Sequence, residues 1–153
     1  MDKYDRRLLE LLQADASLSV AELAKRVSLS STPCWRRVRN LEETGVIQKR
    51  VALLDRNKMN LPVTVFCAIK TNQHDLDWLD RFARVVRDIP EVAEFYRMSG
   101  DTDYLIKIVV PDIDTYDQVY KKLISSIDIY DVSSSFAMEQ LKYTTALPVS
   151  YAS

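Results

Sequence analysis

The residue types that most often carry out catalysis or bind metal ions are sparse in this chain. Of its 153 residues, one is histidine and two are cysteine. His74 belongs to no recognisable nucleophile motif with either cysteine, and Cys34, Cys67 and His74 lack the spacing of a zinc site. The two glycines, Gly45 and Gly100, are placed too far apart to build a phosphate-binding loop of the GxGxxG or P-loop type. We therefore expect neither an enzyme nor a bound cofactor or metal.

The segment from Ser31 to Leu41 has a different chemistry, with basic and amide side chains at helical spacing. Cys34, Val38 and Leu41 fall on one stripe of a helix, which must face a core. Arginine can bind guanine or phosphate and asparagine can read adenine, so the opposite face is typical of a helix that enters the major groove of DNA. That opposite face carries Thr32, Trp35, Arg36, Arg39 and Asn40.

Four further residues are candidate contacts to DNA beside this face. Ser31 lies at the start of the helix, which ends at Gly45, a residue suited to the left-handed backbone just past a helix. Arg37 lies at the edge of the apolar stripe, so it binds DNA or forms a salt bridge with an acid of its own helix end or of the first helix. Lys49 and Arg50 are expected near the phosphate backbone, and a solvated basic surface is the alternative.

Two shorter helices and a wing are expected around this helix. Leucines at helical spacing predict a first helix over residues 2–13. Ser19 and Glu22 form the pattern of a capping box, which predicts the start of a second helix. Residues 46–54 are β-branched and apolar with a basic centre, and predict a strand or hairpin wing. The sequence therefore predicts an N-terminal winged helix-turn-helix domain over residues 1–54.

The second half of the chain alternates strands and helices after a polar linker at residues 55–62. Strand, helix, strand, strand, helix, strand is the ferredoxin-like βαββαβ order, which makes the fold class α+β, with a second domain over 63–153. The predicted strands are 63–71, 92–98, 104–110 and 131–138. A first helix is expected to begin at Asp75 or Asp77, with one apolar side formed by Leu76, Leu79, Phe82, Ala83 and Val86. A second helix is expected after residue 111, with Ile113, Tyr116, Tyr120, Leu123 and Ile127 on one side.

One face of this sheet is expected to lie in a subunit interface. Both helices of the βαββαβ order cover the same face, yet the first three strands carry large apolar side chains on both faces. The uncovered face is too apolar for a soluble monomer, so we expect a homodimer about a two-fold axis. Such symmetry also suits helix-turn-helix proteins, which bind paired half-sites.

Charge is distributed unequally between the two halves. Residues 1–60 hold 12 Lys and Arg against 8 Asp and Glu, a balance of +4, and the remaining 9 against 14 give −5, which sums to the net charge of −1. This favours an anionic partner for the first half, although chance is the alternative. The chain has no apolar run of about 20 residues and begins with charged residues, so neither membrane nor signal segment is expected. Two cysteines suit a reducing cytoplasm.

Four stretches in order resemble one family of regulators. They are residues 4–9, residues 29–47 with Thr32-Pro33-Cys34-Trp35-Arg36-Arg37-Val38 at their centre, residues 99–105 with Ser99-Gly100-Asp101-Thr102-Asp103, and residues 134–139. The chain resembles the Lrp/AsnC, or feast/famine, regulators and, within them, the DecR-like branch associated with cysteine metabolism.

This resemblance implies double-stranded DNA binding by the first domain and binding of a small amino-acid effector by the second, in a cleft between dimers. It also implies assembly into octamers or similar rings. The effector contacts that it implies are Ser99, Gly100, Asp101, Asp103, Tyr104, Ser133, Ser134, Ser135 and Phe136. A β-turn with its own hydrogen bonds is the alternative for Gly100 and Asp103, and a polar edge strand for the serines.

The function expected on these grounds is a sequence-specific transcriptional regulator whose assembly and DNA binding respond to a small amino acid. One alternative is a ligand-sensing oligomer that uses its winged helix for protein contacts only. A ferredoxin-like enzyme is the other, because a fold does not determine its chemistry.

Overall fold

The computed structural model of the chain describes residues 1–72, 76–126 and 129–152. These residues form two compact units. The first unit contains Met1–Leu53 together with the chain from Lys142 onward, and the second contains Leu54–Leu141. None of the helices within the described ranges has the length and apolar character needed to cross a membrane.

The first unit contains the three expected helices, with ends that follow from local sequence. They are α1 (Lys3–Ala14), α2 (Val20–Arg26) and α3 (Ser31–Glu43). Asp2 and Ser19 cap α1 and α2 in reciprocal capping boxes with the acids three residues later. Ser30 stands at the cap of α3 without a side-chain hydrogen bond. Gly45 follows α3 with φ of +75°, a left-handed conformation that glycine adopts without steric cost.

A core of leucines and valines holds these helices together. Leu8 and Leu12 of α1 and Leu23 of α2 are buried against Cys34 and Val38 of α3. Burying an aliphatic side chain of this size contributes roughly 1.5–3 kcal/mol. Because the buried stripe of α3 is the one expected from its sequence, the opposite face of that helix is directed outward.

Residues 46–54 differ from the expected wing, because they form neither a helix nor a strand. Ile47 packs on the leucine core and its N–H donates to the carbonyl of Leu41. Beyond it, Val51, Leu53 and Leu54 are exposed. Within the described part of the first unit no strand pairs with these residues, so their backbone lacks the hydrogen bonds of a sheet.

The C-terminal residues also differ from expectation, since the sequence placed them in the second domain. The side chain of Gln13 accepts a hydrogen bond from the Leu147 N–H at 2.6 Å and donates one to the Leu147 carbonyl at 3.1 Å. Arg6 Nη2 donates to the carbonyl of Ala152 at 2.9 Å. These contacts attach the last residues to α1, so the chain from Lys142 onward belongs to the first unit.

The second unit has the expected ferredoxin-like order and one four-stranded sheet. Its elements are β1 (Val63–Lys70), α4 (Leu76–Arg87), β2 (Val92–Arg97), β3 (Tyr104–Val110), α5 (Ile113–Ser126) and β4 (Asp131–Phe136). The strands lie in the order β2-β3-β1-β4, and all neighbours are antiparallel. The central strands β1 and β3 pair from Val63↔Val110 to Ile69↔Tyr104.

The core of the second unit lies between one face of the sheet and the helices α4 and α5. Alternate residues of β1 and β3 point into it, and Ile106 and Ile108 are fully buried there. Trp78 and Phe82 of α4 stack at 5.0 Å between ring centroids, and Phe82 meets Phe95 of β2 edge-on at 5.1 Å. The expected start of α4 at Asp75 and the apolar contact by Ile127 lie outside the described residues.

This packing predicts that two identical substitutions differ sharply in their cost. Ile108→Ala removes a fully buried side chain and leaves a cavity, so the free energy of unfolding should fall by about 2–5 kcal/mol. Ile113→Ala changes a side chain that is 65% exposed, and should alter that free energy by no more than about 0.5 kcal/mol. Thermal and urea unfolding of the full chain measure both values. Equal losses in the two variants would contradict the position of the core.

Candidate nucleic-acid interface and ligand site

The outer face of α3 is exposed, as its sequence pattern predicts. Thr32, Arg36, Arg39 and Asn40 are all exposed, and the ring of Trp35 is 53% exposed despite its size. These side chains border an open groove of about 850 Å³, whose lining residues are Asp5, Pro33, Trp35, Arg36, Arg37, Arg39, Asn40 and Glu43. The groove therefore presents hydrogen-bond donors and one large aromatic surface to solvent, together with the acids Asp5 and Glu43 among its lining residues.

The three arginines of α3 have different surroundings. Within the described ranges Arg36 makes no ion pair and no side-chain hydrogen bond, so its guanidinium is available to a partner. Arg39 Nε donates to Oε1 of Glu43 at 2.8 Å on the exposed surface. This bond uses Nε, so within the described ranges the two terminal nitrogens of Arg39 make no ion pair and stay available to acceptors such as those of guanine.

Arg37 faces α1, so of the two alternatives that the sequence left open the structure contains the salt bridge. Its Nη1 lies 2.7 Å from Oδ1 of Asp5 and 2.8 Å from Oδ2 of Asp2. The guanidinium carbon also lies 5.3 Å from the ring centroid of Tyr4. The hydrogen bond to Asp5 raises the pKa of Arg37 further above its ordinary value. A contact between Arg37 and DNA stays a prediction.

The remaining basic candidates follow the helix. Lys49 is exposed, while Arg50 Nη2 lies 3.0 Å from Oε1 of Glu42. Ser31 is exposed at the first position of α3. All three lie in the first unit, and Lys49 and Arg50 lie in the extended segment after α3, which forms no regular strand.

The turn between β2 and β3 is fastened to the end of β1 through Asp103. Oδ2 of Asp103 accepts a hydrogen bond from the backbone N–H of Thr71 at 2.9 Å, and the backbone N–H of Asp103 donates to Ile69 at 3.0 Å. Gly100 has φ of +113°, which a residue with a Cβ adopts only with strain. Ser99, Gly100 and Asp101 are exposed. The local hydrogen bonds of the alternative interpretation are therefore present.

The register of β4 divides the serine candidates between the two faces of the sheet. Ser134 pairs with Cys67 and turns toward the helices, where its hydroxyl bonds to Tyr116 of α5. Cys67 Sγ lies 3.4 Å from the Tyr116 hydroxyl, and burial raises the pKa of both groups. Because side chains alternate along a strand, Ser133 and Ser135 point to the face that carries no helix.

Two aromatic candidates are held in the core side of the sheet. The ring of Tyr104 is buried, with centroids 5.3 Å from Phe82 and 5.6 Å from Trp78. The ring of Phe136 meets Tyr116 edge-on at 5.2 Å and is 40% exposed. Tyr104 thus attaches the start of β3 to the core. An effector contact by either ring stays a prediction.

The structure brings some of the ligand candidates together and separates others. The β2–β3 turn, the end of β1 and the start of β4 share one end of the sheet, because Ile69 pairs with both Tyr104 and Val132. Ser135 and Phe136 lie farther along β4, at about 3.3 Å per residue. Among described residues, no group of three histidine, cysteine or acidic side chains is arranged to hold a metal ion.

Both units match known families of protein domains. The model of a winged helix-turn-helix DNA-binding domain matches residues 1–48, and the model of the Lrp/AsnC ligand binding domain matches residues 64–147. The DNA-binding transcriptional activator DecR of Escherichia coli is 50% identical over 150 residues, which cover 97% of this chain and 99% of DecR.

Two solved structures are similar over nearly the whole chain. An AsnC family transcriptional regulator from Agrobacterium tumefaciens is 60% identical with a TM-score of 0.96, covering 99% of both chains. A transcriptional regulator from Neisseria meningitidis, solved in complex with L-Met, is 35% identical with a TM-score of 0.92, covering 97% of both chains.

A helix-turn-helix unit whose third helix exposes Arg36, Arg39 and Asn40, joined to a ferredoxin-like unit, is the arrangement of a DNA-binding transcriptional regulator. The matches over both units then show to which family of regulators the chain belongs. The chain belongs to the Lrp/AsnC family of transcriptional regulators, and the resemblance to the DecR-like branch is confirmed by the identity to DecR.

Proposed function

We propose that this regulator reads a specific DNA sequence through the outer face of α3, as a homo-oligomer whose assembly responds to a small amino acid. The observation that carries the proposal is the exposed face of α3. It combines the exposed guanidinium of Arg36, the terminal nitrogens of Arg39 and the amide of Asn40, all on the side opposite the buried stripe. Their spacing on one helix suits adjacent base edges in a major groove.

Substituting Arg36 tests this face most clearly, because within the described ranges its guanidinium forms no ion pair that would give it a structural role. Arg36→Ala should weaken binding to a duplex selected from a random pool by the wild-type protein, by about 1–3 kcal/mol, if the guanidinium contacts a base. Titrations followed by fluorescence anisotropy measure the change.

Arg7→Ala is the matched control, because it removes the same charge from an exposed arginine of α1, which pairs with Glu10 at 2.7 Å. This variant should keep the affinity of the wild type to within a few fold. Full affinity for the selected duplex in Arg36→Ala would remove Arg36 from the interface.

The face of the sheet without helices is the proposed dimer interface. Its side chains form two rows across the four strands, because each pairs with its neighbour in register. One row contains Glu94, Lys107, Phe66 and Ser135, and the other contains Tyr96, Leu105, Ala68 and Ser133. Phe66 is 38% exposed and Tyr96 is 50% exposed, so burial of this face against a second copy removes two aromatic rings from water.

A charge placed in the middle of this face should dissociate the oligomer. Phe66→Glu puts a carboxylate where two copies are proposed to meet, and since the neighbouring Lys107 already pairs with Glu94 at 2.7 Å, burying this additional charge is costly. Light scattering of the full chain at micromolar concentration should show at least a dimer for the wild type and a smaller species for Phe66→Glu. Ile124→Glu, at an exposed position of α5, should assemble as the wild type does. A monomeric wild type would contradict the interface.

The proposed amino-acid site lies at the end of the sheet that carries the β2–β3 turn. Exposed backbone around Gly100 can approach a ligand carboxylate, and the carboxylates of Asp101 and Asp103 can accept an α-ammonium group. The relative from N. meningitidis, whose structure holds L-Met, supports an amino acid as the ligand class. A ligand with different contacts in different assemblies shifts their populations, and the spacing of the DNA-binding units follows the assembly.

Substituting Asp103 separates its charge from its role in the turn. Asn keeps an oxygen that can accept the Thr71 N–H, but it loses the negative charge. Asp103→Asn should therefore stay folded and bind L-methionine or L-cysteine about tenfold more weakly or worse in calorimetry, since a charge-assisted hydrogen bond contributes roughly 1.5–3 kcal/mol.

The control is Asp88→Asn, which removes one exposed charge from the loop after α4, and should bind like the wild type. Equal affinities for wild type and Asp103→Asn would exclude the proposed role of Asp103. A wild type that binds no amino acid would contradict the effector proposal as a whole.

A further inference from the structure

An ion-pair clamp joins the recognition helix to the first turn of α1. The clamp consists of Arg37 in the middle of α3 and of Asp2, Tyr4 and Asp5 at the start of α1. Nη1 of Arg37 bridges the two carboxylates at 2.7 and 2.8 Å, while its guanidinium lies against the Tyr4 ring. The Asp5 side chain is only 19% exposed, so this pair is better shielded from solvent than the Arg39–Glu43 pair.

The clamp supplies a directional restraint that the core of the first unit lacks. Burial of the apolar stripe decides which side of α3 faces inward, but apolar contacts are not directional, so they leave the last few degrees of rotation about the helix axis less closely fixed. Hydrogen bonds from one guanidinium to two fixed carboxylates are directional. A rotation of about 10° moves a side-chain end at about 6 Å from the axis by about 1 Å, which is enough to break a hydrogen bond to a base.

The two acids make this arrangement informative about DNA binding. Asp2 and Asp5 bring negative charge to within hydrogen-bond distance of a helix that is to approach phosphates, which opposes binding through simple electrostatics. Their contribution to recognition, if they make one, must therefore come from the position that they impose on α3.

We propose that Arg37 is a positioning residue for sequence recognition, which sets the rotation of α3 through Asp5 and Asp2 and does not itself bind DNA. The inference rests on the proposed reading of DNA by α3. It assigns to one of the three arginines of this helix a purely internal role, and to an acid of α1 a favourable effect on specific DNA binding.

The test compares two variants that remove one negative charge each from α1. Asp5→Asn weakens the clamp but keeps an oxygen that can accept the backbone N–H of Asp2 in the capping box. Glu10→Gln removes a charge from the exposed pair with Arg7. Affinities are measured at one salt concentration for the selected duplex and for a scrambled duplex of equal length.

A positioning role predicts that the affinities for the two duplexes respond differently to the loss of the Asp5 charge. Asp5→Asn should bind the selected duplex about tenfold more weakly than the wild type does, because the loss of one base contact costs about that much affinity. It should bind the scrambled duplex as well as the wild type or better, because it carries one negative charge less. Glu10→Gln should keep the ratio of the two affinities. If Asp5→Asn keeps that ratio as well, the clamp does not position α3.

Arg37→Gln distinguishes positioning from direct contact and from simple loss of folding. A positioning role predicts that Arg37→Gln loses no more affinity for the scrambled duplex than Arg7→Ala, which also removes one positive charge, and that combining it with Asp5→Asn adds no further loss of discrimination between the duplexes. A larger loss for the scrambled duplex in a folded Arg37→Gln variant would show a phosphate contact, and an additive loss of discrimination would show a direct base contact; either result overturns the proposal. A wild type that does not distinguish the duplexes would overturn the proposed reading of DNA and this inference together.

Discussion

Burial of one stripe of α3 against α1 and α2 is the constraint on which the first unit depends. Cys34, Val38 and Leu41 are each less than 5% exposed, so they determine which side of α3 faces inward. The same burial directs Arg36 and Arg39 into solvent. A residue that contributes no polar group to recognition, such as Val38, therefore decides where the polar groups of the helix point.

In the second unit the corresponding restraint is the attachment of a surface turn to the central strand. Asp103 holds the β2–β3 turn to Thr71 and Ile69 through a side-chain and a backbone hydrogen bond. Beneath it, Tyr104 fixes the start of β3 in an aromatic cluster. The exposed residues around Gly100 are thus presented by a rigid base, which is the condition for a preorganised ligand site.

Sequence patterns predicted the elements well where periodicity was strong, and failed where contacts from distant residues decide. All three helices of the first unit and all four strands of the sheet lie where the pattern placed them, within a few residues. Ile113 was expected in the core but begins α5 and is 65% exposed, whereas Val119 and Trp78 were omitted and are buried. The partner of Arg37 was left open, since a salt bridge 32 residues away leaves no local signal. For the same reason the attachment of Leu147 to Gln13 could not be foreseen.

In the proposed mode of binding, α3 meets the phosphate and base groups of DNA and not another protein. The dependence of DNA affinity on salt concentration, measured for the full-length wild type, tests it most directly. Binding that neutralises phosphates releases counterions, so a plot of log affinity against log salt should fall with a slope of about −0.9 for each phosphate contacted. Several contacts per subunit predict a steep negative slope. A flat dependence, or no retention on DNA at low salt, would show that α3 does not bind the DNA backbone.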